Sequence, residues 1–214
     1  QVDSKNKIRG GKVILYNKSG KRTKYINWIH SIKMKLNEIT DFNLNQCFFG
    51  EHLIKHNHNT IAIVESEKTA CLMSVLFKKY LWLAAGSLNG LNNSKMEVLR
   101  NRKIILYPDL GLIGPNGSPF SIWKSKCEIL KNKGFDIEIS DLLELKGSAD
   151  DRKNGFDIAD YYLENINYEP KTIASSQEKS IQKLYLKNNN LKILIDVFDL
   201  TDDFGNKLSL SLKE

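Results

Sequence analysis

The sequence predicts an α/β domain built on a parallel four-stranded sheet flanked by helices, preceded by an N-terminal β-hairpin region. Three observations predict it. Apolar runs at 61–64, 81–85, 103–107 and 135–139 read as strands, and their near-continuous hydrophobicity fits strands covered on both faces. Segments of helical periodicity separate them, and this β-α-β-α-β-α-β alternation closes most simply into a parallel sheet between helical layers. Upstream, two β-rich runs flank a turn-forming tetrapeptide, as in a hairpin.

In chain order, residues 12–16 and 23–30 form the hairpin strands, joined by Asn17-Lys18-Ser19-Gly20. Period-two alternation puts Ile26, Trp28 and His30 on one face of the second strand, and Tyr25, Asn27 and Ile29 on the other. A stretch of mixed character runs to His58. The first apolar strand then leads into a helix over 67–80, with Ala70, Met73, Phe77 and Tyr80 at helical spacing. The second strand ends at Gly86, and a short helix over 94–100 precedes the third strand. Turn formers fill 111–119. The next helix carries Phe120, Trp123, Cys127 and Leu130 on one stripe, with Lys124, Lys126, Lys131 and Lys133 largely outside it. The fourth strand follows. The expected organisation is a basic hairpin-containing region (1–59), an α/β domain (60–164), and a linker with a C-terminal appendage (165–214) that includes an apolar segment at 193–200.

Charge is distributed unevenly. Residues 1–36 hold ten Lys/Arg and one acid, a net of +9, whereas the remaining 178 residues carry a net of −2. A basic N-terminal segment of this kind points to a polyanion, with nucleic acid the leading candidate, although a solvated basic face has the same composition. Lys12, Lys18, Lys21, Arg22 and Lys24 are the candidate phosphate contacts, and Tyr16, Tyr25 and Trp28 the candidate stacking platforms. The same aromatics would equally serve to pack the hairpin on the sheet.

No apolar run approaches the roughly 20 residues of a membrane span. Nothing at the start reads as a secretory signal. The three cysteines, Cys47, Cys71 and Cys127, are odd in number and far apart, which points to free thiols in a reducing compartment and to a cytoplasmic location. The chain opens at Gln1 rather than Met, as expected of a fragment or a processed product. Cys47, His52 and His56 lack a fourth partner and make a weak zinc signal. Neither a phosphate-binding Gly-x4-Gly-Lys loop nor a Ser hydrolase elbow occurs.

The chemistry concentrates in acids at strand ends. The first strand of the α/β region runs into Glu65-Ser66-Glu67-Lys68, and the third into Pro108-Asp109-Leu110-Gly111. If these strands are neighbours, as in a 2-1-3 order, Glu65 and Asp109 meet at the carboxyl edge where open α/β sheets place their sites. Two such oxygen ligands suit Mg²⁺ or Mn²⁺, which keeps its waters and adds substrate phosphate. An acid at a strand–helix junction also serves as a plain N-cap.

These segments resemble the toprim domain. Ile61-Ala62-Ile63-Val64-Glu65-Ser66-Glu67-Lys68-Thr69-Ala70 is similar to its first motif, and Tyr107-Pro108-Asp109-Leu110-Gly111 to its Asp-x-Asp motif. The stretch 155–163, with Asp157 and Asp160, looks like the acidic segment that closes primase-like members. With Ile26-Asn27-Trp28-Ile29-His30-Ser31 and Cys47-Phe48-Phe49-Gly50-Glu51-His52, the pattern is closest to toprim-containing, primase-like proteins of Bacteroidetes and their mobile elements, a group of undefined function. Ser66, Thr69 and Gly111 depart from it, standing where the family has Gly, an acid and the second Asp.

The resemblance implies a Rossmann-like toprim fold and a DNA primase-like activity in replication or mobile-element maintenance. Glu65 and Asp109 would be catalytic and metal-holding, with Asp157 and Asp160 as further metal ligands. Lys68 would meet a phosphate. Single-stranded DNA and replication proteins such as a helicase are the implied partners. Two alternatives stand beside it: an inactive toprim relic that binds nucleic acid or a replication partner, and an α/β domain for small nucleotides.

Overall fold

The N-terminal alternation folds as an antiparallel hairpin. β1 (Lys12–Tyr16) and β2 (Arg22–Trp28) pair with Lys12 opposite Trp28, Ile14 opposite Ile26 and Tyr16 opposite Arg22. A computed structural model describes residues 1–18 and 20–165 together with positions 183, 184, 188 and 197. Gln1–Ile166 form one compact unit and Asn167–Glu214 another. Ser19 of the hairpin turn, and the expected linker and apolar segment beyond residue 165 save for those four positions, lie outside the described residues.

The second hairpin strand ends earlier than its β-rich composition predicts. The Ile29 N–H donates to Gly11 O at 2.9 Å, and the chain turns directly into α1 (Ile29–Lys35). His30 therefore leaves the face it was expected to share with Ile26 and Trp28, and stacks on Phe42 with ring centroids 4.6 Å apart.

The α/β region follows as β3 (Thr60–Val64), α2 (Glu67–Leu76), β4 (Tyr80–Ala84), α3 (Asn93–Met96), β5 (Ile104–Leu106), α4 (Pro119–Asn132), β6 (Ile137–Ile139), α5 (Leu142–Lys146), α6 (Ala149–Asn154) and α7 (Ile158–Asn165). The four later strands make one parallel sheet in the order β4-β3-β5-β6. In sequence rank that order is 2-1-3-4, so the first and third strands are neighbours as the acid positions require.

Alternation along each strand sorts the core into two layers. Ile61, Ile63, Leu81, Leu83, Ile104 and Leu106 pack with Trp123, Cys127 and Leu130 of α4. Ala62, Val64, Trp82 and Ala84 pack instead with Ala70 and Met73 of α2, Leu143 of α5, and Ile158 and Ala159 of α7. Phe49 exchanges both backbone hydrogen bonds with Ala84, covering part of the β4 edge.

The helix expected over 67–80 stops at Leu76. Indole Nε1 of Trp82 donates to Phe77 O at 3.0 Å, satisfying a terminal carbonyl, and Tyr80 enters β4 opposite Thr60. Helical spacing had placed Tyr80 on the helix, but a tertiary hydrogen bond from the next strand ends it. α4 starts on Ser118, whose Oγ accepts from Ser121 N at 3.2 Å, with Pro119 in the first turn. All three cysteines are free; Cys47 and Cys127 are buried, while Cys71 is exposed rather than packed as its apolar neighbours suggested. Among the described residues no helix is long and apolar enough to cross a membrane.

Trp123 is fully buried and donates Nε1 to Leu88 O at 2.9 Å, so it joins α4 to the loop that follows β4. Trp123→Ala is expected to destabilise the chain by about 3–5 kcal/mol, through lost burial and a residual cavity. Urea unfolding monitored by circular dichroism checks this, and a loss below about 1 kcal/mol would contradict the packing described.

Candidate functional site

The parallel pairing of β3 with β5 puts Ile63 level with Leu106, and Tyr107 N donates to Ile63 O at 2.8 Å. Glu65, one residue past β3, and Asp109, three past β5, therefore emerge at one edge of the sheet. Asp109 Oδ1 is buried and has no hydrogen-bond partner. Burial, followed by the charges of Glu65, Asp157 and Asp160, pushes the Asp109 carboxyl well above its ordinary value, with Lys68 opposing. Burial also raises Glu65; the Arg22 charge, the Leu88 N–H bonded to the carboxylate, and Lys12 pull it back. Two carboxyls that desolvation and mutual repulsion disfavour as anions occupy one crevice.

Asp157 and Asp160 lie behind this pair in a different role. Asp157 Oδ1 accepts from the N–H groups of Ala159 and Asp160, and Asp160 Oδ2 accepts from Asp157 N, a reciprocal cap at the start of α7. Asp157 Oδ2 takes a 2.6 Å bond from the buried Thr69 hydroxyl on α2. Thr69, where the resembled motif has an acid, thus ties α2 to the α7 cap. Lys68 Nζ lies 4.0 Å from both Asp157 Oδ2 and Asp160 Oδ1. The cap reading of Asp157 is the one its hydrogen bonds express.

The basic hairpin covers this edge. Lys12 Nζ bonds Glu67 Oε1 at 2.8 Å and Gly86 O at 2.7 Å, and lies 5.4 Å from the Trp28 ring centre. Both side chains of that ion pair are largely buried. Gly86 has φ +86°, and a Cβ there would lie 3.4 Å from both Glu67 Oε1 and Lys12 Nζ, so the latch needs glycine at the end of β4. Of the candidate phosphate contacts, Lys12 is engaged internally, Lys18 and Lys21 are exposed at the hairpin tip, and Lys24 lies over the Tyr25 ring. Arg22 alone is set toward Glu65 while its guanidinium bonds no described residue. Tyr25 is well exposed, whereas Trp28 sits half-buried beneath Lys12.

Lys95 was not among the residues singled out from the sequence. It is buried, donates from Nζ to Ala85 O at 3.1 Å, and burial lowers its ammonium pKa. The signal was present: Lys95 interrupts a stripe of Leu91 and Leu99 at i, i+4 spacing.

Among the described residues no three His, Cys, Asp or Glu side chains group as a cage for an ion. Two carboxylates with an orphaned buried oxygen still fit Mg²⁺, which is held by one or two carboxylates with waters and phosphate.

The comparisons place residues 1–110 in a family described as a domain of unknown function, DUF6371, and the chain belongs to it. The matched span contains the hairpin, Glu65 and Asp109 and stops short of Asp157 and Asp160. No curated protein and no solved structure matches the chain.

A carboxyl whose folded-state pKa is raised contributes stability that is complete below the ordinary value near 3.8 and is lost as pH rises through the folded value. In metal-free buffer at pH 8, Asp109→Asn is therefore expected to stabilise the chain by about 1–3 kcal/mol. The gain should vanish as pH falls toward 4. Denaturant unfolding at the two pH values reads it; a variant less stable than the parent at pH 8 would show that the carboxylate already has a compensating partner.

Proposed function

We propose that this chain is a toprim-type, divalent-metal-dependent module for nucleic-acid processing, of the DNA primase-like kind. The observation that carries the reading is the buried, unpartnered Asp109 Oδ1 beside Glu65 at the carboxyl edge of neighbouring parallel strands. The resemblance of 61–70 and 107–111 to the toprim motifs supports it, as does a basic hairpin held over the same edge.

In this reading Asp109 and Glu65 hold one Mg²⁺ or Mn²⁺. The ion, when bound, supplies charge stabilisation to a phosphoryl group. Asp109 provides the inner, water-poor ligand. Glu65, kept partly accessible and oriented by the Leu88 N–H, provides the second oxygen and is the group placed to accept a proton from an attacking hydroxyl. Asp157 and Asp160 act through position: their cap and the Thr69 bond hold α7 and α2 at the rear of the crevice, and they add negative potential there. The substrate proposed is single-stranded DNA with nucleoside triphosphates, in replication or mobile-element maintenance with a helicase-type partner.

A second reading is a toprim relic that binds nucleic acid without chemistry. Thr69 and Gly111 in place of acids, and the commitment of Asp157 to capping, favour it. The two readings part on metal. Under the first, Mn²⁺ binds and supports primer synthesis, and Glu65→Gln and Asp109→Asn each weaken Mn²⁺ at least about tenfold and remove the product signal. Under the second, DNA binding is salt-sensitive, metal-independent and indifferent to Glu65→Gln. Mn²⁺ titration by electron paramagnetic resonance, followed by a primer-synthesis assay, distinguishes them. Normal synthesis by both variants would sink the catalytic assignment.

A further inference from the structure

We infer that Arg22, the first residue of β2, is the phosphate-binding residue of the Glu65–Asp109 crevice, so that the hairpin supplies one wall of the site. The inference rests on the reading above and assigns the group that faces the metal-holding acids. Its ligand is a phosphate group, carried either by a nucleoside triphosphate or by the backbone of a single strand.

Three observations converge on this residue. The hairpin is fixed over the crevice from both ends of β1. Lys12 bridges to Glu67 Oε1 and Gly86 O, and Tyr16, paired with Arg22, feels the charge of Glu67 on α2. Arg22 is the largest charge acting on Glu65, which places it within electrostatic reach of that carboxylate. Its guanidinium nevertheless makes no hydrogen bond or ion pair to any described residue, and the residue is exposed. Nearby cations behave differently: Lys12 is engaged with Glu67, and Lys68 lies beside Asp157 and Asp160.

An unsatisfied guanidinium at this place has a chemical meaning. Its planar fork of five donors matches phosphate oxygens in pairs, which an ammonium cannot do. A cation held by Glu65 and Asp109 on one side and Arg22 on the other would leave a gap with positive charge at both walls. A tetrahedral phosphate group has oxygens for both at once. The buried Asp109 oxygen without a partner independently indicates that the crevice takes a ligand.

The test uses the full chain with Mn²⁺ and compares the parent with Arg22→Ala, Arg22→Lys and, as a hairpin control, Lys18→Ala. Calorimetric titration measures Mn²⁺ alone, then dATP and a short oligothymidylate in the presence of Mn²⁺. Arg22→Ala should bind Mn²⁺ at least as tightly as the parent, because a neighbouring positive charge is gone. It should lose about ten- to a hundredfold in affinity for dATP, for the oligonucleotide, or for both. Whichever falls identifies the source of the phosphate. Arg22→Lys should recover only part, Lys18→Ala should change either affinity by no more than about twofold, and thermal midpoints should stay within about 1 °C because Arg22 is exposed and unbonded. Unchanged dATP and oligonucleotide affinities in Arg22→Ala, with Mn²⁺ still bound, overturn the inference and leave the metal reading standing. Failure of the parent to bind Mn²⁺ removes the metal reading and this inference with it.

Discussion

Parallel pairing of β3 with β5 governs the architecture and the chemistry together. Because the two strands are neighbours, the turns that follow them open on the same edge, and Glu65 and Asp109 are forced into one another's field. Neither acid gains from this in folding terms. A carboxylate placed in a low-dielectric crevice loses hydration, and a like charge beside it adds repulsion. Asp109 has no hydrogen bond on its buried oxygen to offset that loss. A group held at such a cost in an otherwise well-satisfied core is a reason to seek function there.

The acids around this pair divide by partner. Asp157, Asp160 and Glu67 each have a structural partner: a helix cap and the Thr69 hydroxyl for the first, the Asp157 N–H for the second, the Lys12 ammonium for the third. Their charge still reaches Asp109 or Glu65, since Coulomb interactions extend beyond hydrogen-bond distance. The result is a small reactive centre inside a larger acidic field, with structural acids setting the potential and two others left free to meet a ligand.

The basic N-terminal region completes that balance. Its excess positive charge is not simply a solvated face, for Lys12 is drawn into a largely buried pair and Arg22 is turned toward Glu65. The family match, running from the hairpin through both strand ends, treats these parts as one stretch. Gly86 shows how closely they are fitted, because the ammonium and carboxylate of the latch fill the space a side chain would take.

Much of this was legible without coordinates. Apolar runs and helical spacing set the α/β alternation, the strand-end acids, the hairpin and the basic bias, because burial periodicity and turn chemistry are local properties of the chain. Element ends were less legible. The helix after β3 stops at Leu76 because Trp82, six positions on, bonds its end, and β2 stops at Trp28 because Gly11 receives the next N–H. Such partners lie across the fold and leave no periodic trace. Only the tertiary structure decided which acids cap and which stay unpartnered, which lysine of many is buried, and which hairpin cation reaches the crevice. Those outcomes depend on distances between segments far apart in the chain, and one-dimensional spacing does not contain them.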